Sequence, residues 1–146
     1  MKNIYLVALV VLCASVAACA QKKVPSTLDS AFKTKFLNAT NITWNKENTH
    51  EYEAEFIMSG TKYSANFSDT GKWLETEHLI TYDELPKAVQ QSFMASHKEV
   101  QVKTVAKIEN SEGTTSYEIE VKQLLGTKEL FYDANGKEIQ EEDSED

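Results

Sequence analysis

The chain has 146 residues, with 23 acidic and 15 basic side chains and a formal net charge of −8. Every basic residue is lysine. Arginine is the bidentate clamp for phosphate, so its absence together with this acidity excludes nucleic acid as a partner and weighs against phosphorylated substrates. The same balance suits solubility, cations or basic partners.

Met1-Lys2-Asn3 is a short positive start, and Ile4 to Val16 is a nearly unbroken apolar run. The run is too short for a comfortable transmembrane helix and predicts an export signal over residues 1–20. Two processing routes use the same residues. Val16-Ala17-Ala18-Cys19 resembles a lipobox, which makes Cys19 the lipidation candidate, and Ala18-Cys19-Ala20 fits the small-x-small rule that releases a soluble chain. The expected location is the periplasm or the outer-membrane surface, with membrane contact only through Cys19. Cys13 leaves with the leader, so the exported chain keeps at most one cysteine and forms no internal disulfide or thiolate metal site. The fold must stand on an apolar core.

The first helix is predicted from Leu28, Ala31, Phe32 and Phe36, which share one face, with Ser26 as N-cap after Pro25 and Asp29 three residues on. Ile42 and Trp44 begin a strand. Tyr52, Ala54, Phe56 and Met58 then alternate with Glu51, Glu53 and Glu55, and Tyr63, Ala65 and Phe67 follow on the apolar side. Lys72 to Leu79 is the next strand. A joint falls near Leu79 to Tyr82. A second helix over Leu85, Ala88, Val89, Ser92 and Phe93 is expected to start between Asp83 and Pro86, with Thr81 and Glu84 as its capping box. Val100, Val102, Ala106 and Ile108 are expected on one strand face with Thr104, and Tyr117, Ile119 and Val121 on the next. Strands at Lys128–Tyr132 and Lys137–Ile139 complete the series. Ser59-Gly60, Asp69-Thr70-Gly71, Glu112-Gly113 and Asn135-Gly136 are the hairpin turns. Residues 141–146 form an acidic tail that buries nothing.

A shift of 65 aligns Tyr52-Glu53-Ala54-Glu55-Phe56 with Tyr117-Glu118-Ile119-Glu120-Val121, and Gly71-Lys72 with Gly136-Lys137. Phe32 and Phe36 are aligned with Val89 and Phe93 at a smaller offset. The reading is a tandem repeat over residues 21–80 and 81–140. Each copy is a helix plus an antiparallel sheet of three or four strands, an α+β layer with one sheet face left open to water.

No catalytic constellation emerges. The serines lack a Gly-x-Ser-x-Gly elbow, the five glycines read as turn residues rather than a phosphate cradle, and His50, His78 and His97 lack metal-ligand spacing and default to surface or turn positions. No cofactor is expected, and the chain reads as a non-enzyme. The candidate surface is the outer sheet face carrying Glu53, Glu55, Glu75, Glu77, Glu118 and Glu120, with Lys103 and Lys107 of opposite sign. Solvated glutamates of this kind lack the split pKa values that acid–base catalysis needs, and a plain soluble face is the simplest account of them. Trp73 shares the alternation class of Glu75 and Glu77 and is a candidate hot spot on the same face. A one-residue slip at the turn would put it in the core instead. A calcium site on Glu53, Glu55, Glu118 and Glu120 is the alternative function, although no EF-hand loop exists.

The segments "LNATNITW", "YEAEF", "DTGKWLETE", "ELPKAV", "YEIEV" and "DANGKEI" resemble the PepSY-like, beta-lactamase-inhibitor-protein-like proteins exported by Bacteroidetes, from about Ser26 to Ile139. The resemblance implies two PepSY-type units in tandem that present a concave sheet, and a fold whose relatives bind hydrolases on such a surface. It defines no inhibitory residue set to carry across. The expected partner is therefore an envelope protein or peptide.

Overall fold

The computed structural model describes residues 24–140. The leader, Cys19 and the acidic tail lie outside the described residues. The elements run α1 (Ser26–Lys35), β1 (Thr40–Lys46), β2 (Glu51–Met58), β3 (Thr61–Ser68), β4 (Trp73–Leu79), a 3-10 turn (Tyr82–Glu84), α2 (Lys87–Ser96), β5 (Gln101–Asn110), β6 (Thr115–Lys122), β7 (Thr127–Asp133) and β8 (Glu138–Ile139). All eight strands form one antiparallel sheet in chain order. The expected separate sheets are thus one sheet, because β4 pairs with β5 from Glu75↔Asn110 to Leu79↔Ala106. No helix among the described residues is long and apolar enough to cross a membrane.

Both helices start on a proline. Pro25 and Pro86 are the N-caps, neither with a side-chain cap hydrogen bond. Proline has no N–H to leave unpaired and its fixed φ suits a helix start. Ser26 is therefore the first helical residue and not the cap. The Thr81/Glu84 box closes the 3-10 turn rather than α2: the Glu84 carboxylate accepts from the Thr81 N–H at 2.7 Å and from its hydroxyl at 2.8 Å. Counted from the two prolines, Leu28, Phe32 and Phe36 occupy the positions of Val89, Phe93 and His97. This count and the sequence alignment of Phe32 and Phe36 with Val89 and Phe93 differ by one helical turn, since residues four apart share a face.

Two cores lie under the helices. Leu28, Phe32 and Phe36 pack on Ala54, Phe56, Ala65 and Phe67, with Trp44, Tyr52, Tyr63 and Trp73 at the margin. Val89 and Phe93 pack with Leu85 on Val105, Ile119, Val121, Leu130 and Tyr132. Between them, the helix side of β4 and β5 is polar. Thr76 is buried and accepts from the Trp73 indole, and the Lys107 ammonium sits 2.7 Å from Glu109.

Two register shifts decide which residues face the helices. In β4, Phe67 pairs with Trp73 but Asn66 pairs with Glu75, so Leu74 is the extra residue of a bulge. In β5, Val102 pairs with Val121 but Thr104 pairs with Glu120, so Lys103 is extra. Val102 and Val105 consequently face the helix, while Thr104, Ala106 and Ile108 face away. The expectation of one apolar face through Val100, Val102, Thr104, Ala106 and Ile108 fails at that bulge, because an inserted residue reverses the alternation beyond it.

Candidate acidic face of the sheet

The face opposite the helices carries the glutamates. β2 contributes Glu53 and Glu55, β4 contributes Glu75 and Glu77, and β6 contributes Glu118 and Glu120. Register sets their neighbours: Glu53 lies beside Asn66 and then Glu75, and Glu55 beside Ser64 and then Glu77. On the other half Glu118 lies between Ala106 and Phe131, and Glu120 between Thr104 and Glu129. Ala106 and Ile108 of β5 form a small apolar strip between the two acidic groups.

Trp73 does not belong to this surface. The bulge at Leu74 turns it to the helix side, where its indole Nε1 donates to the Thr76 hydroxyl at 2.9 Å and the Lys35 ammonium lies 3.3 Å from the ring centroid. Lys107 is likewise on the helix side, opposite His78 in the ladder. A lysine that does serve the outer face is Lys62, whose Nζ sits 2.7 Å from Glu55. Glu129 and Lys62 escaped the sequence reading. Hairpin register would have found both, since Glu120↔Glu129 is a cross-strand pair and Lys62 lies diagonal to Glu55.

The face is not freely solvated. Glu118 is 6% exposed and Glu120 4%, although neither α1 nor α2 covers them, and Ala106 between the groups is 2% exposed. Their burial comes from the neighbouring strands of the sheet and not from α1 or α2.

Burial pushes the Glu77 carboxyl up to about 7, and the negative neighbours Glu75, Glu53 and Glu129 add to the shift. Glu53 is raised as well, by burial first and then by Glu47 and Glu55, while Asn45 and Lys62 oppose this. Glu120 accepts a hydrogen bond from the Thr104 hydroxyl at 2.9 Å. The idea of evenly solvated glutamates is therefore incorrect: removal from water disfavours the charged form of Glu77, and like charges compound the effect. Among the described residues no three His, Cys, Asp or Glu side chains converge to hold a metal ion. What the arrangement offers is an acid-lined sheet face whose carboxylates are partly withdrawn from water.

The histidines lie elsewhere. His50 contacts Asp69 at 3.1 Å beside the β1–β2 turn. His78 lies against Tyr63, and burial followed by Lys107 lowers its pKa. His97 is not a simple surface residue, since it stacks on Phe93 with its Nε2 buried, 3.8 Å from Glu138.

The sequence profile of the beta-lactamase-inhibitor-like, PepSY-like family matches residues 50–140. Among solved structures, a BLIP-like protein from Bacteroides fragilis NCTC 9343 is 26% identical, with a TM-score of 0.70 over 81% of this chain and 84% of its own. A DUF2874 family protein from Bacteroides uniformis ATCC 8492 is 23% identical, with a TM-score of 0.74 over 81% of this chain and 88% of its own. A protein of Bacteroides eggerthii DSM 20697, provisionally described as periplasmic, gives 23% identity and a TM-score of 0.74 over 81% of this chain and 87% of its own. No match is found among the curated proteins.

Proposed function

As this chain belongs to the beta-lactamase-inhibitor-like, PepSY-like family, we propose that it is a non-catalytic exported binding protein whose acidic face recognises or inhibits another envelope protein through a basic segment. One observation carries the reading. Glu118 and Glu120 are more than nine-tenths buried, and Glu77 is pushed to about 7, on a face that neither helix covers. Carboxylates held partly desolvated in the free protein gain more from an arriving cation than solvated ones do. The Ala106–Ile108 strip supplies apolar contact between the two acidic groups. Trp73 is left out of the surface because it faces the helices.

Three further parts of the proposal concern the chain as a whole. The order of one helix and four strands occurs twice, which supports a duplication over residues 21–80 and 81–140. Gly71 and Gly136 support it too. Each has a positive φ and lies against the carbonyl of the second residue of its helix, Thr27 or Ala88. Export to the periplasm, with Cys19 as a lipid anchor at the outer membrane, completes the reading.

The test is titration with a lysine-rich peptide, a neutral peptide and an acidic peptide, followed by calorimetry at low and moderate salt. Only the basic peptide should bind, more weakly in salt and more weakly as pH falls through 7, where Glu77 gains its proton. Glu77→Gln/Glu118→Gln should weaken it about tenfold. Equal binding of all three peptides, or no effect of the double variant, removes the reading. A melting temperature raised by millimolar calcium and restored by chelator would instead assign a cation-binding role to Glu53, Glu55, Glu118 and Glu120.

A further inference from the structure

Most hairpin turns of this sheet are built from polar residues and glycine. Ser59-Gly60 joins β2 to β3, Asp69-Thr70-Gly71 lies between β3 and β4, and Ser111-Glu112-Gly113-Thr114 joins β5 to β6. The β6–β7 turn is different. It reads Gln123-Leu124-Leu125-Gly126, and its leucines are 100% and 90% exposed. The turn is closed by the Gln123 N–H donating to the Gly126 carbonyl at 3.0 Å, with Gly126 at φ +86°. Nothing in that backbone calls for leucine at the two central positions, where Asn, Asp or Gly is the usual choice. Nor do the leucines support the fold, since neither reaches a core.

The surroundings of the tip are basic. Lys122 and Lys128 lie on the two strands at its foot. Lys122 pairs with Gln101, which follows Lys98 and the partly exposed Val100 and precedes Lys103. Residues 98–103 and 122–128 contain four lysines and one acid, Glu99, in a chain whose net charge is −8. Apolar exposure and positive charge therefore coincide at one end of an otherwise acidic molecule.

We infer that the β6–β7 tip is a membrane-contact element that seats Leu124 and Leu125 at the headgroup–acyl boundary of an anionic lipid surface. Lys98, Lys103, Lys122 and Lys128 stand around it at the level of the headgroup phosphates. Lipid accepts such a wedge without shape complementarity, and the lysines at its foot match the charge of anionic headgroups. Lysine suits the boundary because its stem lies along apolar surface while its ammonium reaches the phosphates. A wedge of two leucines gives shallow, reversible contact that depends on salt, so it orients the protein on a bilayer rather than anchoring it irreversibly.

Hydrogen exchange of the full chain, read at residues 122–128, tests this with vesicles of phosphatidylcholine alone or phosphatidylcholine with phosphatidylglycerol. Because the readout is local to the tip, lipid contact made by the N-terminal segment does not enter it. Exchange at the tip should slow about fivefold or more with the anionic vesicles and stay unchanged with the neutral ones. Leu124→Ser/Leu125→Ser and Lys122→Gln/Lys128→Gln should each abolish the slowing, whereas the exposed control pair Leu37→Ser/Met94→Ser should keep it. The inference is overturned if the wild type shows no slowing on anionic vesicles, or if the leucine variant slows as much as the wild type. Slowing that appears without lipid and grows with protein concentration would also overturn it, by assigning the tip to a second copy of the chain.

Discussion

Under α1 the core is a set of aromatic rings. Phe32 meets Phe36, Trp44, Phe56 and Phe67 at centroid distances of 5.1, 5.6, 5.0 and 6.1 Å. Under α2 the core is mostly aliphatic, and the ring contacts there are Tyr82 on Phe93 and Phe93 on His97. The second core also encloses polar atoms. The Tyr82 and Tyr132 hydroxyls and His97 Nε2 are buried without a hydrogen-bond partner, and Glu138 lies 3.8 Å from that nitrogen. Counted from the two helix-starting prolines, His97 stands where Phe36 does, and Tyr132 of β7, like Phe67 of β3, is fully buried. The core under α1 is thus aromatic, and the core under α2 encloses unpaired polar groups. An unpaired buried polar atom costs about 1–3 kcal/mol, so the second half should be the weaker one.

Substituting the centre of each core should expose this difference most strongly. Phe32→Ala removes a fully buried ring that touches four others and should cost about 3–5 kcal/mol. Phe93→Ala, at the position of Phe32 counted from the prolines, loses contacts with the Tyr82 and His97 rings and should cost less, about 2–3 kcal/mol. Urea unfolding of the two variants reads both values, and equal losses would break the contrast.

The two glycines against the helices should differ next. A Cβ at Gly136 would run into the Ala88 carbonyl oxygen, whereas one at Gly71 would meet the Thr27 carbonyl oxygen at 3.4 Å. Both sit at positive φ, +83° and +88°. Alanine at Gly136 should therefore cost about 3 kcal/mol, and at Gly71 about 1 kcal/mol from backbone strain alone. Thermal melts of the pair decide it, and a Gly71 variant as damaged as the Gly136 one would mean that α1 cannot give way.

The acidic face spans both halves and makes stability depend on pH. Glu77 titrates near 7 in the folded protein and near 4.5 when unfolded, so the native state binds more protons between those values. Its contribution is fully present below pH 4.5 and is lost as pH rises through 7. Glu77→Gln should thus stabilise by about 1–2 kcal/mol at pH 8 and hardly at all at pH 4.5, which melting curves across that range will show. The smallest effect is expected at Tyr132, whose hydroxyl is pushed up to about 12 by burial, then Glu138 and Tyr82. Tyr132→Phe removes an unpaired hydroxyl and should be neutral or stabilise by up to about 1 kcal/mol, where a loss in chemical denaturation would reveal a bonded hydroxyl.

The amino-acid sequence by itself determined the elements and most of their faces. Spacing of Leu28, Phe32 and Phe36 dictates α1, and the alternation of Tyr52, Ala54 and Phe56 and of Tyr117, Ile119 and Val121 dictates β2 and β6. Both are local properties of period 3.6 or 2. It also put Glu53, Glu55, Glu75, Glu77, Glu118 and Glu120 on one face. The tertiary structure decided what lies beyond a bulge: the extra residues Leu74 and Lys103 reverse the alternation, sending Trp73 to the helices and Ala106 to the outer face. It also decided that Glu118 and Glu120 are buried and that burial pushes the Glu77 carboxyl up to about 7. Pairing register and burial arise from neighbouring strands far apart in the chain, and no local pattern encodes them.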